Sequence, residues 1–178
     1  MDLIRLATPR DARDILAVYT PYIENTVITF ETEVPSVEAF ASRIENTLEK
    51  FPYYVYVRDG KILGYAYASP FHPRAAYQWS CELSIYVDKK ARHLGIGTKL
   101  YDCLEDTLVR MGYLNAYACI TYPNPQSIQF HEKRGYQKVA HYHQCGYKMG
   151  KYLDVVWYER FLNAHKADPT APVGYIED

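Results

Sequence analysis

SIYVDKKARHLGIGTKLYDCL, residues 84–104, carries the reading of this chain. A β-branched and aromatic run, Ser84 to Val87, leads into a basic turn, Lys89 to His93. The turn becomes Arg92-His93-Leu94-Gly95-Ile96-Gly97, and an amphipathic helix follows at once. Glycines let main-chain N–H groups approach an anion closely. The first helical turn then adds unpaired donors and the positive end of its dipole. A strand, glycine loop and helix in this order suit a phosphate-bearing ligand. A tight turn capping an ordinary helix is the alternative. Two commoner glycine loops fit badly. A P-loop needs Gly-Lys-Ser/Thr, but Thr98-Lys99 follows Gly97, and a dinucleotide fingerprint needs glycine where Leu100 stands.

A second segment, TYPNPQSIQFHEKRGYQKV at 121–139, again reads strand, turn, short helix, stop. Asn124 can cap the helix, Pro125 suits its first position, and Gly135 ends it. With Arg92-x-x-Gly95-x-Gly97 upstream, the pair resembles the acetyl-CoA-binding core of the GCN5-related N-acetyltransferases (GNAT). The finer pattern is Glu82-Leu83-Ser84-Ile85-Tyr86-Val87, then Asn124-Pro-Gln-Ser127-Ile128-Gln-Phe-His131-Glu132-Lys133-x-Gly135-Tyr136. It resembles the phosphinothricin/methionine sulfoximine acetyltransferase branch. The resemblance covers roughly residues 2–162.

Composition is that of a soluble globular protein. The 178 residues suit one domain, with 48% hydrophobic and 23% charged residues. A net charge of −1 gives no bulk field to recruit nucleic acid or an anionic membrane. No apolar run is long enough to span a bilayer, and MDLIRLATPRDARD lacks a signal-peptide layout, so a cytoplasmic protein is expected. The four cysteines contain no Cys-x-x-Cys pair and read as reduced, buried thiols. The 19 tyrosines lack a companion basic groove, so core packing accounts for them better than stacked bases.

Along the chain, residues 2–7 alternate as a strand, and Thr8-Pro9-Arg10-Asp11 starts a helix reaching about residue 24. Ser36 caps a second helix. Residues 53–57 and 62–69 form strands joined by the hairpin signal Arg58-Asp59-Gly60-Lys61. Residues 70–77 form a loop and 79–88 a central strand. Leu100, Leu104, Leu108 and Met111 stripe the next helix. A strand at 115–122, a helix at 125–134 and strands near 137–147 and 152–161 complete a single domain, 1–162. The tail, 163–178, need not be ordered. The elements predict an α/β (mixed α+β) protein with helices on both faces of a mixed sheet. The resemblance implies that this sheet is mostly antiparallel, with two central strands splayed around the pantetheine arm.

Acyl transfer to an amine requires removal of the amine proton and polarisation of the carbonyl, and an acid can protonate the leaving thiolate. Glu82, on a central strand, is the candidate base, because desolvation there raises a carboxyl into useful range. Pairing to a nearby Arg or Tyr is its alternative role. The resemblance implies His131 as the acid. It implies cofactor contacts at Ile85, Tyr86, Val87, Arg92, His93, Leu94, Gly95, Ile96, Gly97, Thr98, Asn124 and Ser127. It further implies an acceptor pocket with Phe30 as aromatic wall and Arg74 as carboxylate fork, beside Glu82. The small-molecule amine acceptor and a homodimer follow from the resemblance too. Local satisfaction, helix capping, a solvated loop and core packing are the competing roles of His131, Asn124, Arg74 and Phe30. His141, His143 and Cys145 alternate and are zinc-type ligand residues. On a regular strand they lie ~6.6 Å apart, too far to converge, so no metal is expected. Rival functions are a peptide or protein N-terminal acetyltransferase, an acyl-CoA sensor without turnover, and a structural or RNA-stacking module.

Overall fold

The computed structural model describes residues 2–174. Seven strands and four helices follow one another: β1 (Asp2–Leu6), α1 (Ala12–Asn25), α2 (Val37–Leu48), β2 (Tyr53–Arg58), β3 (Lys61–Pro70), β4 (Ser80–Val87), α3 (Ile96–Met111), β5 (Asn115–Tyr122), α4 (Pro125–Lys133), β6 (Gln137–Lys148) and β7 (Lys151–Phe161). The strands form one sheet in the order β1-β2-β3-β4-β5-β7-β6. Every pairing is antiparallel except β4 with β5. Among the described residues no helix is long and apolar enough to cross a membrane.

Local chemistry sets the helix starts. Thr8 and Asp11 form a reciprocal capping box around a short 3-10 turn that runs into α1. The Ser36 side chain accepts from the Ala39 N–H at the head of α2. Gly112 ends α3 in the left-handed region, at φ 93°, which glycine adopts without a Cβ penalty.

Each sheet face buries its own core. Ile15, Tyr19, Ile23, Phe40 and Ile44 of α1 and α2 pack on Tyr53, Val55 and Tyr65. Leu100, Leu104 and Leu108 of α3 pack on the opposite face with Tyr56, Ala66, Leu83 and Ala118. The tyrosines divide accordingly: Tyr53 and Tyr67 stack at 4.7 Å on the α1/α2 face, while Tyr54 bonds Thr107 of α3 at 2.9 Å. Glu105 on α3 is buried but ties three elements together. It accepts from Arg134 at 2.6 Å, Arg160 at 2.7 Å and Tyr136 at 2.8 Å.

Two expectations need correction. The cysteines are free, but Cys119 and Cys145 are exposed; one faces the opening between strands and the other sits on a distorted stretch of β6. β3 runs to Pro70, and residues 75–77 coil into a 3-10 turn rather than plain loop. The tail is tied down as far as the described residues go. Asn163 donates to the Val109 and Tyr113 carbonyls, Trp79 Nε1 to Thr170 O at 2.8 Å, and Val173 N to Met111 O at 2.9 Å. The bonds to Val109 O and Met111 O reach backbone carbonyls in the last turn of α3. The tail's last four residues, 175–178, lie outside the described residues.

Candidate active site

β4 and β5 pair over only three rungs: Ser80 with Asn115, Cys81 with Ala116, Glu82 with Tyr117. Beyond Glu82 the strands part. The opening is lined by Leu83, Ser84, Ile85 and Tyr86 from β4, Ala118 to Thr121 from β5, and Asn124, Ser127 and His131 from the α4 region. The expected splay is therefore present, and Glu82 stands at its fork.

The free edge of β4 points its donors into the opening. Asp88 N–H bonds the Leu63 carbonyl, on the β3 side. Strand N–H groups alternate sides, so those of Ile85 and Val87 face the opening. Tyr86 turns its backbone toward β3, and its ring meets Tyr19 at 4.7 Å and Tyr22 at 5.2 Å. At the mouth, Gly95 is left-handed with φ 73°, and His93 has φ 66°. Lys99 N is the first α3 donor to find a carbonyl, that of Gly95 at 3.1 Å. The Ile96, Gly97 and Thr98 N–H groups thus head the helix without intrahelical partners. Leu94 is exposed beside them. Arg92 leans over Tyr22, donating to its hydroxyl at 3.1 Å and to Gln126 Oε1 at 3.4 Å. Asn124 Oδ1 accepts from Ser127 N at 3.3 Å, the capping role; its amide nitrogen makes no hydrogen bond within the described residues.

Glu82 has no ion-pair partner among the described residues, and burial alone raises its carboxyl above the ordinary value of 4.5. Its face is shared with Tyr67 and Ser69, opposite Ser84 and Glu82 across the β3–β4 ladder. That face also carries a cleft of about 320 Å³ bounded by Tyr19, Glu31, Arg43, Tyr53 and Tyr67. Tyr67 stands opposite Ser84 across the ladder and lines the cleft, so it adjoins both regions.

His131 is buried and fully engaged. Its Nδ1 is 2.8 Å from the Ser127 carbonyl, which only accepts, so Nδ1 carries the proton. Nε2 then accepts from Tyr101 OH at 3.0 Å. Burial lowers the imidazole pKa and keeps it neutral. Both ring nitrogens of His131, the residue the resemblance implies as the acid, are therefore hydrogen-bonded within the protein.

The acceptor-side residues differ in how firmly they are held. Phe30 is 40% exposed rather than core. Its ring lies where a Cβ on Gly146 would sit, 2.2 Å from Cε2. Neighbouring Thr29 O accepts from the buried Lys148 Nζ at 2.9 Å, and Glu31 accepts from Tyr19 at 2.6 Å and Arg43 at 2.7 Å. Gly146 and Lys148 were not legible as site residues, because no local motif marks a strand glycine facing a distant loop. Arg74 caps the 3-10 turn, exposed and without an ion pair among the described residues. Beside it Phe71 stacks on Tyr117 at 4.2 Å, with His72 and Tyr77 packed around. Glu82 thus stands at the fork of the opening that Ile85, Tyr86, Asn124, Ser127 and His131 line, while Phe30 lies on the loop between α1 and α2 and Arg74 on the loop between β3 and β4.

A forked parallel pair, an anion-ready glycine loop and a half-buried carboxylate at the fork define the acyl-CoA-dependent acetyltransferase class. The acetyltransferase (GNAT) domain model matches residues 4–157, and the chain belongs to this family. It is 36% identical to a phosphinothricin N-acetyltransferase of Streptomyces coelicolor, over 89% of this chain and 95% of that relative. A phosphinothricin acetyltransferase from Sinorhizobium meliloti, solved in complex with AcCoA, superposes with TM-score 0.90 at 33% identity, covering 95% of this chain and 93% of that one. A ribosomal-protein-alanine N-acetyltransferase from Brucella melitensis superposes with TM-score 0.86 at 32% identity, covering 89% and 99%.

Proposed function

We propose that this acetyltransferase transfers an acetyl group from acetyl-CoA to the α-amine of a small amino-acid-like acceptor. The acceptor class is that of phosphinothricin and methionine sulfoximine or sulfone. The amine attacks the thioester directly in a ternary complex. One observation carries the reading: the unpaired, half-buried Glu82 sits at the fork where the free edge of β4 meets the tyrosine-lined α1/α2 face.

Pantetheine would lie along the free β4 edge, with the Ile85 and Val87 N–H groups bonding its amides and the thioester carbonyl. Asn124 Nδ2 is available from the other side, and Ser127 lines the same wall. The donors at residues 93–98, with Arg92, would cradle the pyrophosphate. When bound, the cofactor supplies an acyl group on a good leaving thiolate. Glu82 removes the ammonium proton, directly or through water, so that the amine lone pair is free to attack. Arg74 offers a bidentate fork to the acceptor carboxylate, and Phe30 walls its side chain. The engaged His131 is assigned to positioning: it fixes α4 to Tyr101 beside the thiolate end of the opening.

Free thiols agree with a reducing cytoplasm. The homodimer carried by the resemblance would use exposed apolar surface such as Tyr147, Met149 and Tyr152 at the β6–β7 tip.

A thiol-release assay tests the proposal. Acetyl-CoA should turn over with phosphinothricin, methionine sulfoximine or methionine sulfone, with N-acetylation seen by mass spectrometry. Turnover confined to peptides with a free N-terminus would favour the protein-acetylating reading, which the Brucella likeness supports. Acetyl-CoA binding without turnover on any amine would favour a sensor.

A further inference from the structure

β6 is distorted where it passes β7. Tyr142 pairs with Val155 and Gly146 with Leu153, so residues 143–145 stand opposite the single residue Asp154. Gln144 takes φ 50° within this bulge. The extra length folds the ring of His143 onto that of His141, with centroids at 4.4 Å and planes 14° apart. A regular strand would keep the two about 6.6 Å apart. Asp154 enters from β7, its Oδ2 2.8 Å from His141 Nε2 and its Oδ1 accepting from Gln144 N at 2.8 Å. One ligand atom from each of His141, His143 and Asp154 lies within 4.8 Å of the others. Cys145 turns instead toward the Tyr142 and Leu153 carbonyls, both at 3.8 Å. The spacing that argued against a metal is thus undone by the bulge, and the third ligand is an aspartate from the next strand.

We propose that His141, His143 and Asp154 form a site for a divalent transition ion of the zinc class, bridging the β6 bulge to β7. Two imidazoles and one carboxylate suit zinc, with water completing a tetrahedron. Metal-bound N and O atoms lie about 2.0–2.2 Å from zinc, hence roughly 3.4 Å from one another. Closing from 4.8 Å needs only side-chain rotation of His143, which is exposed. The Gln144 N–H already orients the aspartate through its other oxygen, a supporting role common around metal ligands. Two features oppose the ion and fix the order of events. Lys138 Nζ lies 3.4 Å from His141 Nδ1, and a proton occupies the short Nε2–Oδ2 bond. Binding at Nε2 requires that proton to move to Nδ1 as the exposed lysine swings out. The Tyr122 ring, 4.9 Å from His141, sets the ion beside the turn that presents Asn124.

The test is calorimetric titration of Zn²⁺ into the chelator-treated full chain, with Co²⁺ absorbance as reporter of the ligand set. One Zn²⁺ per chain is expected, with a nitrogen/oxygen Co²⁺ spectrum and a metal-dependent rise in Tm. His143→Gln and Asp154→Asn should each weaken binding roughly tenfold or more. Equal Zn²⁺ affinity in both variants would overturn the site, as would a thiolate charge-transfer band, which would assign the ion to Cys119 or Cys145. Absence of binding at millimolar Zn²⁺ would overturn it as well. His143→Gln alters an exposed side chain, so its metal-free Tm should match the parent and keep the comparison valid.

Discussion

Glu82 and Tyr117 face each other across the last rung of the parallel β4–β5 ladder. The ladder stops there, so the carboxylate stands at the end of paired structure and the start of the opening. Position and desolvation come from the same feature.

Glu82→Gln should retain acetyl-CoA affinity and lose about 10²-fold or more in kcat. The wild-type rate should fall as pH drops through the raised Glu82 pKa, because the protonated carboxyl cannot accept. The variant's deficit should shrink at high pH, where solvent deprotonates the amine. Stability should move the other way. Folding favours the protonated carboxyl, so wild-type stability declines as pH rises from the ordinary carboxyl range through the raised folded value. Glu82→Gln escapes that decline and should melt no lower than wild type at pH 7. Wild-type kcat across pH 6–9 in the variant would reduce Glu82 to packing.

His131→Ala should lower Tm and kcat together while leaving the shape of the pH–rate profile unchanged, since its two nitrogens serve Ser127 and Tyr101. A selective loss at high pH would restore the acid role.

Arg74→Ala should raise KM for an amino-acid acceptor and spare acetyl-CoA affinity; Arg74→Lys should recover only part, for want of the planar fork. Equal kinetics for an amino acid and its decarboxylated amine would remove Arg74 from the acceptor site.

Two glycines separate the substrates. A Cβ on Gly97 meets Phe130 at 3.4 Å and Ile85 at 3.5 Å, ordinary contacts, so Gly97→Ala should fold with unchanged or higher Tm. A loss of acetyl-CoA affinity in that variant reports crowding of the bound ligand. A Cβ on Gly146 would displace Phe30, so Gly146→Ala should raise acceptor KM and leave acetyl-CoA binding intact. Isothermal titration and steady-state kinetics read both; unchanged cofactor affinity in Gly97→Ala, or unchanged KM in Gly146→Ala, contradicts the respective assignment.

Glu105→Ala leaves the buried Tyr136 hydroxyl without its acceptor and Arg134 with Asp102 alone, and should cost about 1–3 kcal/mol by denaturant unfolding. A loss under about 1 kcal/mol would mean the charges rehydrate freely.

The sequence by itself determined what short-range chemistry dictates. Gly95 is left-handed as its place in the loop required, Ser36 and Asn124 cap their helices, and Arg58-Asp59-Gly60-Lys61 turns the β2–β3 hairpin. Those signals lie within a few residues of the groups they organise, so the cofactor core could be read in order along the chain. Tertiary structure decided the rest. Where β4 and β5 part depends on pairing between residues 35 apart, as with Glu82 and Tyr117. Phe30 is fixed by Gly146 and Lys148 from a distant strand, and His131 is quieted by Tyr101 of another helix. The His141–His143–Asp154 cluster needs a bulge that no residue in the stretch announces, because its register is set by β7 across the sheet.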